Sequence, residues 1–207
     1  AVYAWQSGLG MPERDYYLKE DERSVEIRKA YLKHVSKMFE LVGFSDSKNS
    51  AIKVMSLEKT LAREHMEKEK TRDLVKLYNM FEIKDLPGIM PDFNWEGYLK
   101  ELEIFDHGKI GILMLDYSKA LNNIIVDNDL DTWKTYLKWK VIDYSSNKLS
   151  DEMDKQNFEF FERELLGTEQ QPPKWRRAVN SVNANLGEII GKVYVKKYFP
   201  PEAKERM

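Results

Sequence analysis

Between residues 21 and 42 apolar side chains return every third or fourth position, at Leu32, Val35, Met38, Phe39 and Val42. This spacing constrains the fold more than any other feature, because it lines one helical face that must be buried against a neighbour. Gly43 supplies the stop. The pattern repeats at Ala51, Val54, Met55, Leu61 and Ala62, with Glu58, Lys59, Arg63, Glu67 and Lys68 supplying charge. Ser47 or Asn49 caps this second helix, and the spacing carries it to about Lys70.

Further helices are predicted over 117–126 and 130–144, with another following Asn94. Ser150 opens one that Gly167 closes, and Pro173 starts a last long helix reaching about Phe199. Residues 71–94 have poor periodicity and hold Pro87, Gly88 and Pro91, which predicts short turns joined by loops. KIGILML at 109–115 is the one credible strand, and no partner for it is evident. The expected fold is therefore all-α: an irregular multi-helix bundle with at most one short strand or hairpin, a single helical domain over residues 1–207.

With 33 basic against 35 acidic residues and a net charge of -2, the composition implies neither a nucleic-acid nor a polyanion partner. No apolar run reaches the roughly 20 residues a membrane span needs. The absence of cysteine removes disulfides, thiolate metal sites and a cysteine nucleophile together.

A zinc hydrolase helix carries two histidines four apart, so that both rings reach one ion. Here His34, His65 and His107 are followed four residues later by Met38, Glu69 and Gly111. His65 with Glu69 forms a two-ligand pair if both lie on one helix face, but such a pair reads as solvated charge. GLGM at 8–11 lacks the flanking strand and helix of a phosphate loop, and no serine stands in a G-x-S-x-G elbow. Carboxylate pairs such as Asp129 with Asp131 and Glu162 with Glu164 are expected by chance in so acidic a chain. Lys174, Trp175, Arg176 and Arg177 read as a helix start with the tryptophan in the core and the arginines paired with local acids. Trp133, Tyr136, Trp139 and Tyr144 read as a core stripe. The residues thus nominate no catalytic, cofactor-binding or metal-binding site.

Several strings recur in the order of a known family: GLGMPERDYYL at 8–18, AYLKHVSKMFELVG at 30–43 and LEKTLA at 57–62, then Arg72, Asp73, Tyr78 and Asn79. They continue with TWKTYLKWKVID at 132–143, the Leu165 to Gly167 turn, and KWRRAVNSVNANLGEIIGKVYVKKYFPPEAKERM at 174–207. In these the chain resembles the non-catalytic amino-terminal region of the neprilysin family of zinc metallopeptidases, which includes endothelin-converting enzyme and bacterial oligopeptidase O. It departs in a shorter run between Arg-Asp and Tyr-Asn and in the charge of 65–70.

The resemblance implies part of a two-lobed helical peptidase, in which this region restricts access to a cavity for short peptides. Zinc would be held in a separate carboxy-terminal lobe by H-E-x-x-H and E-x-x-x-D helices that match nothing here. This chain alone is then expected to be inactive, with the catalytic lobe of the same polypeptide as its partner. Animal members are typically disulfide-bonded, so the absence of cysteine points to a bacterial member, in the periplasm or at the cell surface. The alternative is a stand-alone helical module that binds peptides or proteins and has lost the peptidase half.

Overall fold

The structure, a computed structural model, describes residues 2–199 and 201–206. The chain divides into two compact units, Ala1–Leu166 and Gly167–Met207. The first unit opens with strand β1 (Val2–Ala4), an extended strap and the single turn α1 (Asp15–Leu18). The long helices α2 (Glu22–Leu41) and α3 (Ser47–Glu64) pack side by side. Next come α4 (Leu74–Leu77), β2 (Met80–Glu82), α5 (Trp95–Glu101) and β3 (Lys109–Ile112). Helices α6 (Leu115–Asp127), α7 (Leu130–Ser145) and α8 (Asp151–Asn157) complete the bundle, α8 running on as a π-helix over Phe158–Glu164.

Polar side chains set where these helices begin, by accepting amide hydrogens the first turn leaves free. Asp21 accepts from the Ser24 amide at 3.0 Å, Asn94 from Gly97 at 3.0 Å, and Asp129 from Thr132 at 2.7 Å. Ser150 Oγ takes the Met153 amide at 3.3 Å. Helix α3 follows Asp46, whose side chain caps nothing, and stops at Glu64 rather than near Lys70. His65 is already extended there, with ψ at 135°.

The helical expectation holds for the bulk of the chain, and the strand over 109–115 is present, though shorter. Where a lone strand or a hairpin was expected, β3 stands at the centre of a three-stranded sheet. It pairs parallel with β1, Val2 opposite Ile110, and antiparallel with β2, Phe81 opposite Ile110. Both partners are three residues long, too short to display an alternating pattern.

Three apolar clusters fill this unit. Helices α1, α2, α3, α7 and α8 share the first, around Phe39, Met38, Tyr31 and Trp139. The second joins α3, α6 and α7 through Leu57, Leu61, Ile124 and Tyr136. The third seats the sheet on α5 through Ile110, Ile112, Trp95 and Leu99.

The second unit consists of α9 (Lys174–Tyr198) and α10 (Pro201–Glu205). One uninterrupted helix was expected up to Phe199, but α9 is kinked at Leu186 (φ -124°, ψ 16°), next to Gly187. No side chain of α9 is buried, and Trp175 is 68% exposed, which corrects its reading as a core anchor. It stands in the first turn of a helix whose own unit has no second layer against which to bury it.

Candidate functional site

A buried polar cluster in the first unit surrounds Glu58, which is fully buried in α3. Sequence reasoning had counted Glu58 among the solvent-facing charges. Its register was the missed signal, since it falls four residues after Val54 and four before Ala62, both in the core. Glu58 Oε2 accepts from Tyr17 Oη and from Tyr31 Oη, each at 2.8 Å. Tyr31 Oη in turn accepts from the Trp139 indole at 3.1 Å. Burial pushes the Glu58 carboxyl up to about 7, against the pull of the two tyrosine hydrogen bonds. Burial and the neighbouring Glu58 charge raise both tyrosine hydroxyls as well.

This cluster fastens the strap. Tyr17 Oη accepts the amides of Gly10 at 3.0 Å and Met11 at 2.8 Å. Carbonyl groups of the strap are taken in sequence: Ser7 by Tyr117 at 2.8 Å, Gly8 by Tyr136 at 2.6 Å and Leu9 by Lys140 at 3.3 Å. The Gln6 side chain donates to the Met66 carbonyl at 3.0 Å and accepts the Met66 amide at 2.6 Å, much as a neighbouring strand would. An extended segment without a ladder thus has its backbone polar groups satisfied by side chains. Glycine is required twice. Gly8 has φ at +106°, and a Cβ on Gly10 would lie 1.9 Å from Tyr31 Oη. GLGM is therefore one half of a latch, half-buried at Gly8 to Gly10 and buried at Met11. The Glu58 carboxylate is thus closed off among tyrosines and wholly out of solvent.

The histidines lie apart. His34 is buried beside Phe160 and Phe161, ring centroids 5.0 and 5.3 Å away, and burial lowers it to about 4. Gln156 Nε2 lies 3.2 Å from its Nδ1. His65 turns its Nε2 to the Ser7 carbonyl at 3.1 Å. Because α3 ends at Glu64, His65 and Glu69 share no helix face, and the two-ligand pairing does not form. His107 ends the exposed turn Phe105–His107. Among the described residues no group of three or more potential ligands could hold a metal ion.

The carboxylate pairs have structural uses. Asp129 caps α7, Asp131 pairs with Lys53 across to α3, and Glu164 meets Arg23 at 3.4 Å. Of the aromatic stripe, Trp139 and Tyr136 are buried and Trp133 is half-buried. Tyr144 departs from it, 78% exposed beneath the Lys148 ammonium at 4.6 Å.

The chain is 28% identical over 219 residues to membrane metallo-endopeptidase-like 1 of Mus musculus, covering 98% of this chain and 28% of that protein. Against endothelin-converting enzyme 1 of Mus musculus it is 27% identical over 207 residues, covering 96% of this chain and 27% of the relative. The zinc metalloprotease Zmp1 of Mycobacterium tuberculosis, in its open state, superposes with a TM-score of 0.90 at 29% identity, over 97% of this chain and 31% of that one. The chain thus spans under a third of the length of each of these proteins. Fold and likenesses together define the class: the mostly helical amino-terminal region of neprilysin-like metallopeptidases. The family model described as peptidase family M13, in its amino-terminal part, matches residues 1–207. The chain belongs to that family.

Proposed function

We propose that this chain is the access-controlling amino-terminal part of a zinc metalloendopeptidase whose catalytic lobe lies elsewhere in the same polypeptide. The observation that carries the reading is the family match over 1–207, in a chain equal to under a third of its relatives' length. The described residues do not fit zinc, since His34 and His65 are separately engaged, His107 stands apart on its own turn, and no group of three potential ligands forms. No catalytic step is therefore assigned to them. Zinc, and the water it would activate, belong to the proposed second lobe. This part contributes shape, a rigid helical wall that admits short flexible peptides and turns away folded proteins.

The apolar side chains of α9, among them Val179, Val182, Ile189 and Val193, are exposed, and a helix of this kind needs a covering surface. We assign that role to the catalytic lobe. An extracytoplasmic location accords with a relative named as a membrane metallo-endopeptidase. No described helix is long and apolar enough to cross a membrane. The test is to purify the 207 residues alone and measure bound zinc and peptide hydrolysis. Neither is expected, and chelator-sensitive turnover would overturn the assignment. Reading the gene beyond Met207 separates the rival: H-E-x-x-H supports the peptidase, an immediate stop codon the stand-alone module.

A further inference from the structure

A groove of about 670 Å³ runs along the outer face of α2, bounded by the start of α3 and by Gln156 of α8. Lys29, Lys33 and Lys37 line one wall, each four residues from the next, and Lys48 stands on the other. At 1.5 Å per residue the three form a row about 12 Å long. Leu32 and Ile52 supply apolar surface between them, and Ile52 is 54% exposed. Of the four lysines, Lys37 alone has a described acidic partner, Glu40 at 3.2 Å. A chain of net charge -2 thus sets four lysines against a single carboxylate, Glu40, around an apolar channel. Like charges one turn apart repel within their own helix, and the arrangement is relieved when carboxylates arrive opposite them.

We propose that this groove docks an acidic amphipathic helix of a partner polypeptide. Two neighbouring helices present a channel into which the ridge of a third fits. The one-turn spacing of the lysines matches glutamates four apart on such a helix, and Leu32 with Ile52 receives its apolar stripe. An anionic membrane is the poorer match, because these lysines form the walls of a concavity and not the crest of a convex face.

The probe is a fluorescein-labelled synthetic helix, with glutamates four apart flanking a leucine stripe, titrated by anisotropy into the full 207-residue chain. Saturable binding is expected, weakening at least tenfold between 50 and 300 mM salt. The double variant Lys29→Glu, Lys33→Glu should weaken it at least tenfold, and a peptide carrying lysine for glutamate should recover binding to that variant. Ile52→Ser should weaken it about fivefold. These positions are exposed, so unchanged thermal melts will establish that the variants fold. Absence of saturable binding overturns the proposal, as does binding indifferent to charge reversal. Vesicles rich in anionic lipid that bind with the same lysine dependence, while the peptide does not, overturn it too.

Discussion

Glu58 and His34 are buried titratable groups only a helix apart, and burial moves them in opposite directions. Glu58 titrates near 7 when folded and near 4.5 when unfolded, so the folded state holds the extra proton between those values. Its contribution is most favourable below about pH 4.5 and is lost as pH rises towards 7, by about 3 kcal/mol in all. His34, lowered from 6.5 to about 4, behaves conversely: stability is lost as pH falls from 6.5 to 4. Glu58→Gln keeps the side chain's shape while removing one of these slopes. Its penalty, measured by urea unfolding, should be largest near pH 4.5 and shrink by about 3 kcal/mol by pH 7.5. Parallel profiles for the two proteins would dismiss the buried carboxylate as their source. This chemistry was hidden in the sequence because a glutamate in a charged helix reads as solvated. Only its register between Val54 and Ala62 marks it as inward-facing.

At the scale of elements, the helices were legible because a 3.6-residue period survives any tertiary context that buries one face. What was not legible depends on partners distant in sequence: the short strands β1 and β2, the early end of α3, and the π-turn where consecutive rings bracket His34. The helix starts offer a clean comparison. Asp21 accepts two hydrogen bonds from Ser24, amide at 3.0 Å and hydroxyl at 2.7 Å, while Asp46 at the start of α3 accepts none. Asp21→Ala should cost about 1 kcal/mol, a drop of roughly 2–4 °C in Tm, and Asp46→Ala close to nothing. Calorimetry on the two variants checks this, and equal losses would mean that composition, not the cap bond, sets the cost.

For the whole molecule, the two compact units differ in kind. Residues 1–166 contain all three apolar clusters, whereas α9 buries none of its side chains. A chain ending at Leu166 should therefore unfold in one cooperative thermal transition. A peptide of residues 167–207 should have little helical circular dichroism in water, because an isolated helix with no packed face is marginal. Strong helicity in that peptide would show that α9 is stabilised locally. The sequence anticipated the position of this helix but not its exposure. A stripe of valines and isoleucines announces that it needs a cover without saying where the cover comes from.

The strap adds a matter of timing. Residues 7 and 8 are made before the groups that hold them, and their carbonyl groups wait for Tyr117 and Tyr136, 110 and 128 positions later. At roughly 5–20 residues per second, that interval is about 10 s. Throughout it only the nearby Tyr17, which takes the Gly10 and Met11 amides, is at hand to hold the glycine segment. The strap is consequently made well before the helices that fix it, and its closing marks the moment when this unit of the fold is finished.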